Sequence, residues 1–340
     1  MTVALGDHAT DEQALQLAVE ASWSAMGVST PNPPVGAVVL DRDGVVAGVG
    51  ATQPVGGPHA EVMALRQAGE AARGGTAVVT LEPCDHTGRT GPCSQALLAA
   101  GIAAVRYAVT DPHPQAAGGA QTLREAGVDV TGGFGDELVR NGPLKPWLFR
   151  QAHGRPLVTA KIASTLDGRI AAPDGTSRWI TGPAARAHAH DQRARLDAVV
   201  VGTGTALADD PSLTARRPDG TLRSHQPARV VMGLRDLPQD ARLRDGTAPL
   251  IQVPSRDPAD VLSALPEALW VLVEGGPAII GAFLSAGLVD EVQIYLAPSL
   301  MGGGTPSVLD PTVTTLQGVH RFRRTGVDEL GDDLLVTLAR

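Results

Sequence analysis

Apolar positions along the first half of the chain recur at two different periods. In DEQALQLAVEASWSAM (11–26), Ala14, Leu15, Ala18, Val19 and Ala21 return at the interval of a helix face. VGAVVL (35–40) and VVAGVG (45–50) are short apolar runs joined by DRDG, whose Asp-Gly step favours a hairpin turn. HAEVMALRQAGEAA (59–72) predicts a second helix and TAVVTL (76–81) a buried strand. A helix from near Cys93, a strand over 102–109, a helix over 121–127 closed by Gly127 and a short strand VDV follow. Strands alternating with helices predict an α/β layer structure with a largely parallel sheet.

The stretch NGPLKPWLFRQAHGRP (141–156) interrupts this pattern with Pro, Gly and His. It marks a domain boundary at about 145–155, giving domains 1–150 and 151–340. The alternation then resumes through PLVTAKI, LDAVVVG, ARVVMG, LIQV and LWVLVEGG, the helix IIGAFLSAG and the strand DEVQIYLAP. DLLVTLA, near the end, is predicted as an edge strand, and polar, turn-rich 216–227 as a surface loop. No internal repeat interrupts the series.

Composition narrows the classes. A chain of 340 residues with 43% apolar and 19% charged residues is long enough for two ordinary soluble domains. No apolar run reaches the roughly 18 residues that span a bilayer. MTVALGDHATDEQ lacks the basic and apolar regions of a signal peptide, so the expected location is cytoplasmic. A net charge of −8 and 3% aromatic residues argue against nucleic-acid and membrane surfaces. They leave room for a small anionic substrate held by a few local arginines.

The chemistry concentrates around two cysteines, the only ones present, with eight residues between them in TLEPCDHTGRTGPC (80–93). PHAEV supplies His59 and Glu61, EPC supplies Cys84 and GPC supplies Cys93. Imidazole and thiolate are preferred zinc ligands, and three of them leave a fourth tetrahedral position for water. Zinc brings that water's ionisation toward neutral pH, and Glu61, beside the ligand His59, suits a proton shuttle. H-x-E followed by P-C matches the zinc deaminases of nucleobases, except that their second cysteine follows after two residues. Gly88 and Arg89 suggest an exposed loop with a cation at the pocket mouth, and His86 is a lesser candidate ligand. The alternative reading is two buried free thiols.

The second half says less on its own. VVVGTGTAL and EGGPAIIGAF each run from strand to glycine turn to helix, a geometry open to phosphate or to an ordinary tight turn. The first lacks the third glycine of a dinucleotide fingerprint. Arg186 and Arg193 are seven apart on one predicted helix and share a face, while Arg169, Arg178 and Arg216 fall in turns. They are phosphate candidates or a solvated face. His188 and His190 diverge by about 200° on a helix and are expected at the surface.

TPNPPVGAVV, GGPHAEVMAL and TLEPCDHTGRTGPC together resemble the deaminase half of the bifunctional riboflavin-biosynthesis deaminase/reductase family, whose long loop between the cysteines they share. KIASTLDGRIA, SRWITG, ADDPSLTAR and VEGGPAIIGAFL are similar, in order and spacing, to that family's reductase domain. The resemblance spans about residues 11 to 339 and departs at His113, where Asn is usual, and Thr165, where Ser is frequent. It implies a cytidine-deaminase-like three-layer α/β/α domain followed by a dihydrofolate-reductase-like α/β domain. It implies one zinc on His59, Cys84 and Cys93, with Glu61 catalytic. NADPH would bind at Ala163, Trp179, Thr205, Asp209 and the turn Gly276, Pro277, Ala278, Ile279, Ile280, Gly281 and Ala282. A small phosphoribosylamino-pyrimidine substrate would meet Ser177, Arg193, Leu213, Arg216 and Glu274, with the two arginines suited to its phosphate. A homo-oligomer, dimer or tetramer, is expected. Two rival readings are a nucleoside or nucleic-acid base deaminase with a non-catalytic binding half, and a zinc-stabilised structural protein. Glu61 argues against the latter, since a closed structural site needs no carboxylate beside its ligand.

Overall fold

Thr10 starts the first helix, α1 (Asp11–Ala25). Its hydroxyl accepts from the Gln13 N–H while the Gln13 side chain accepts from the Thr10 N–H, a reciprocal cap. Ala14, Leu15, Ala18 and Val19 are buried, so the apolar stripe faces the core. The computed structural model describes residues 3–86, 91–113 and 117–340 and divides the chain into two units, Met1–Gly154 and Arg155–Arg340.

In the first unit α1 is followed by β1 (Gly36–Leu40), β2 (Val46–Ala51), α2 (Ala60–Ala68), β3 (Thr76–Leu81), α3 (Cys93–Ala100) and β4 (Ala104–Val109). Then come α4 (Gly119–Glu125), β5 (Asp129–Gly132), α5 (Asp136–Arg140) and α6 (Lys145–His153). The sheet order is β2-β1-β3-β4-β5. β3, β4 and β5 run parallel, but β1 is antiparallel to both β2 and β3, so the sheet is mixed rather than largely parallel. The cause is the tight turn at Asp43–Gly44, which can join only antiparallel strands.

Glycines show why there are three layers. A Cβ on Gly36 of β1 would lie 2.7 Å from Ser22 N of α1, and one on Gly50 of β2 2.8 Å from Met63 Cβ of α2. Gly50 pairs with Ala37, the neighbour of Gly36, so the two helices press on opposite faces. The Pro- and Gly-bearing stretch at mid-chain is largely helix α6, closed by Gly154 at φ 69°.

The second unit holds β6 (Leu157–Thr165), β7 (Arg169–Ala171), α7 (Pro183–Arg193), β8 (Ala198–Gly202), α8 (Thr203–Asp209), β9 (Ala228–Met232), β10 (Leu250–Val253) and α9 (Pro258–Ser263). It continues with β11 (Trp270–Val273), α10 (Pro277–Ser285), β12 (Glu291–Ala297), β13 (Thr305–Pro306), β14 (Arg323–Leu330) and β15 (Asp333–Ala339). Its large sheet has the order β10-β9-β8-β11-β6-β12-β15-β14. Every neighbour pair from β10 to β12 is parallel. One face packs Val158, Ala160, Val271, Val273, Ile280 and Phe283, and the other packs Tyr295 and Leu335 against Ala185 and Ala189 of α7. Cover on both faces explains the unbroken apolar runs of these strands. DLLVTLA is not the edge strand: β15 lies between β12 and β14. The edge is β14, RRTGVDEL, whose charged, largely exposed side chains hid its strand character and suit an unpaired rim.

Candidate active sites

Three proline-flanked chain positions converge in the first unit. His59 is the N-cap of α2, Cys93 is the first residue of α3 after Pro92, and Cys84 follows Pro83 beyond the end of β3. Their ligand atoms all lie within 4.8 Å of one another. His59 Nδ1 is 3.6 Å from Cys84 Sγ and 3.3 Å from Cys93 Sγ. Zinc bond lengths to N and S place tetrahedral neighbours about 3.6 Å apart, so the donor set fits a zinc ion in both chemistry and spacing. The Cys93 N–H donates to Cys84 Sγ at 3.5 Å. Hydrogen-bonded by the Cys93 thiol and by His59, Cys84 is pulled down to about 4, while Cys93 as donor is pushed up.

Glu61 sits in the first turn of α2 and is buried beside these groups. Burial, and then the charge on Cys84, push its carboxyl up to about 7. The surrounding pocket is lined by Pro33, Val35, Thr52, Leu81, Glu82, His86 and Asp111 together with His59, Glu61 and Cys84. Glu82 accepts from the N–H groups of Asp111, Gly118 and Ala120 at 3.2–3.3 Å and so holds the backbone that carries Asp111. Burial pushes the Asp111 carboxyl up. His86 lines the pocket but stands outside the His59–Cys84–Cys93 cluster. Gly88 and Arg89 lie outside the described residues.

In the second unit two glycine turns interlock at strand ends. The Gly276 N–H donates to Thr205 Oγ1 at 2.9 Å, and a Cβ on Gly275 would lie 3.2 Å from Gly202 N. The turns after β8 and β11 therefore pack closely, with the Ile279 side chain against Gly202 and Gly275, where any larger residue would collide. Beside them Glu274 accepts from Arg193 Nε and Nη2, each at 2.6 Å, with Lys161 Nζ at 3.8 Å. Burial alone would raise the Glu274 carboxyl, but the charges of Arg193 and Lys161 win and hold it at about 2. Burial pushes the Lys161 ammonium down.

Arg193 is thus engaged with a carboxylate, whereas the Arg216 side chain donates from Nε to Thr214 Oγ1 at 2.9 Å. Leu213 is buried at φ 51°, and half-buried Ser177 lies two residues before Trp179. Trp179 is 71% exposed and lies under the Arg186 guanidinium, 4.6 Å from the ring centroid. Asp209 closes α8 and its carbonyl accepts from Arg178 at 2.5 Å. Ala163 on β6 pairs with Tyr295 on β12. His188 and His190 are not surface residues: both are half-buried. His188 bonds the Tyr295 hydroxyl at 2.8 Å and His190 the Thr214 carbonyl at 3.0 Å. Their divergence on α7 holds, and the loops and strand that cover the helix supply the burial.

Two family models match, one in each unit. The cytidine and deoxycytidylate deaminase zinc-binding region matches residues 8–109, and the RibD C-terminal domain matches 156–336. The chain is 47% identical over 327 residues to riboflavin biosynthesis protein RibD of Mycobacterium tuberculosis H37Rv, covering 96% of each. It is 50% identical over 312 residues to the RibD protein of Corynebacterium ammoniagenes, covering 90% of this chain and 91% of that one. The chain belongs to the RibD family. Among solved RibD structures, that from Acinetobacter baumannii matches with a TM-score of 0.84 at 36% identity, covering 97% of this chain and 98% of that one. The deaminase/reductase from Thermotoga maritima matches with a TM-score of 0.86 at 31% identity and the same coverage. As in other RibD proteins, the N-terminal half is a zinc-dependent deaminase and the C-terminal half an NADPH-dependent reductase, both acting in riboflavin biosynthesis.

Several residues around these sites escaped the sequence. Glu82, Asp111 and Thr52 reach the deaminase pocket through strand ends far apart in the chain. Lys161 had a usable signal: it is one of only two lysines among 28 Lys and Arg, set inside an apolar strand. Tyr295 gave none, since an aromatic residue in a strand reads as core.

Proposed function

We propose that the first unit deaminates 2,5-diamino-6-(5-phosphoribosylamino)pyrimidin-4(3H)-one and that the second reduces the ribosyl group to give 5-amino-6-(5-phosphoribitylamino)uracil. The observation that carries this reading is the convergence of His59, Cys84, Cys93 and Glu61 in one pocket of a chain whose second half is a RibD reductase domain. The Thermotoga maritima relative is named as a deaminase and reductase for these phosphoribosylamino-pyrimidines, which supports the substrate class.

In this reading His59, Cys84 and Cys93 hold the zinc. When bound, the metal supplies the Lewis acidity that lets a water ionise near neutral pH. Glu61 would take one proton from the attacking water and give it to a ring nitrogen, then carry the second, from the newly attached hydroxyl, to the amine, which leaves as ammonia. Burial raises the Glu61 carboxyl, which helps it accept a proton, as a shuttle requires. Glu82 keeps Asp111 at the pocket wall, where it can meet the polar edge of the pyrimidine.

In the second unit Ala163, Trp179, Thr205, Asp209 and the turn Gly276–Ala282 line the NADPH site. Ser177, Leu213, Arg216 and Glu274 face the substrate. Arg193 aligns Glu274, which leaves Arg216 for the 5′-phosphate. NADPH, when bound, supplies the hydride for C1′ of the opened ribosylamine. The protein's part is to hold the two in register and exclude water. The same reading places the enzyme in the cytoplasm as a homo-oligomer, whose order sedimentation would give.

Glu61→Gln is expected to lower deamination about 10²- to 10⁴-fold with zinc still bound. The same variant should oxidise NADPH at the wild-type rate when given the deaminated intermediate. Full deamination by the zinc-loaded variant would refute the shuttle. Failure of the wild type to oxidise NADPH with the intermediate would refute the two-step reading and favour a deaminase with a binding half.

A further inference from the structure

We propose that Asp85 is a positioning residue for the metal site: its carboxylate clasps the hydroxyls of Ser94 and Thr122 and so sets the spacing at which Cys84 and Cys93 meet zinc. The proposal rests on the reading that His59, Cys84 and Cys93 hold the metal. Zinc needs its two thiolates at one separation, yet these cysteines belong to segments with eight residues between them. Cys93 opens α3, whereas Cys84 lies beyond the end of β3 and outside any helix or strand. Its place must be fixed by contacts with other segments.

Three contacts tie the two cysteine segments together. The Ser94 N–H donates to the Cys84 carbonyl at 3.1 Å, and the Cys93 N–H donates to Cys84 Sγ at 3.5 Å. The Ser94 hydroxyl donates to Asp85 Oδ1. The residue that follows each cysteine thus bonds the residue that follows the other. Asp85 Oδ2 accepts from Thr122 Oγ1 of α4 at 2.7 Å. One carboxylate therefore joins the Cys84 segment, the start of α3 and the middle of α4.

α4 is a firm anchor for this clasp. On the other side of Cys84, Glu82 accepts from the N–H groups of Gly118 and Ala120 at 3.3 and 3.2 Å. A Cβ on Gly119 would lie 3.4 Å from the Cys84 carbonyl carbon, so the start of α4 lies directly on the cysteine backbone. Cys84 is held from both flanks, by Glu82 and by Asp85. Ser94 is fully buried, and a buried hydroxyl is unfavourable without a partner, so its bond to Asp85 resists being exchanged for water. Polar groups that orient metal ligands from behind are worth about 10- to 100-fold in metal affinity.

The test measures zinc dissociation constants on the full chain by competition with a chromophoric chelator. The variants are Asp85→Ala, Asp85→Asn, Ser94→Ala and the double variant Asp85→Ala with Ser94→Ala. Asp85→Ala is expected to weaken zinc by about 10- to 100-fold. Ser94→Ala should weaken it less, and the double variant no more than Asp85→Ala, because both remove the same bond. Asp85→Asn keeps an acceptor for one hydroxyl and offers a donor to the other, so it should return zinc affinity to within about threefold of wild type. The visible spectrum of the cobalt(II)-substituted protein, which reports the thiolate geometry, should shift in Asp85→Ala and not in Asp85→Asn. A lower thermal transition of the metal-free chain with unchanged zinc affinity would make Asp85 a loop staple and overturn the proposal. An Asp85→Asn variant as weak as Asp85→Ala would overturn it too, since charge and not the clasp would then act. Should Asp85→Ala fail to fold, wild-type zinc affinity in Ser94→Ala would overturn it alone. Cys93→Ser is the reference: wild-type zinc affinity there would overturn the ligand reading itself.

Discussion

At the scale of single residues, Glu274 decides how the second unit responds to acid. Its carboxylate bonds both nitrogens of the Arg193 fork and lies near Lys161, with all three side chains largely buried. Its folded pKa, about 2, lies below the ordinary 4.5. A depressed carboxylate stabilises the fold fully above its unfolded value and loses that contribution as pH falls toward its folded value. Wild type and Glu274→Gln should therefore differ most above about pH 4.5, and their difference should shrink as pH falls toward 2. At pH 7 the variant leaves two buried cations without their partner, an effect of about 3–5 kcal/mol. Urea unfolding of both proteins at a series of pH values checks this; a difference that stays constant down to pH 2 would refute it. His59, Glu61, Cys84 and Cys93 were legible because donor chemistry and an H-x-E spacing are local signals. The Glu274–Arg193–Lys161 group was legible only in its members' charges. Its pairing joins positions on β6, α7 and the end of β11, and spacing alone carries no information across such separations.

At the scale of elements, strand and helix periods located most of the fold, since both depend on neighbours within a few residues. What they missed depends on partners. VVAGVG reads as a strand with incidental glycines, yet Gly48 and Gly50 are the positions at which α2 lies directly on β2. HAHDQR shows two histidines on diverging faces, but only the loops and strands around α7 determine that both are covered. RRTGVDEL has no apolar face to mark it as a strand, because a rim strand needs none, and DLLVTLA, expected at the edge, lies inside it. The α2 contact has a measurable consequence. A Cβ at position 50 would lie 2.5 Å from Ala64 N and 2.8 Å from Met63 Cβ, so Gly50→Ala must push α2 away from the sheet. Overpacking of this kind costs about 1–3 kcal/mol. Because α2 also carries His59 and Glu61 at its start, the shift should lower zinc retention and deamination together. NADPH oxidation with the deaminated intermediate should be unaffected. Metal content per chain and the two rates, measured on one preparation, would show it; an undisturbed zinc site would mean that α2 tolerates the methyl group without moving.

At the scale of the whole molecule, each unit has its own sheet and its own site, and the three metal donors all come from the first. Zinc should accordingly stabilise one unit alone. A ligand that binds only the folded state stabilises it by RT ln(1 + [L]/Kd), about 4 kcal/mol at a thousandfold excess over Kd. Without the metal, His59, Cys84 and Cys93 leave two buried thiols and an imidazole whose ligand atoms lie within 4.8 Å of one another. Dialysis of the full chain against a chelator should abolish deamination and lower the thermal transition of the first unit. The second transition and NADPH oxidation with the deaminated intermediate should stay where they were. Re-addition of one zinc per chain should restore both the first transition and deamination. Loss of reductase activity on chelation, reversed by zinc, would show instead that the second site depends on the metal of the first.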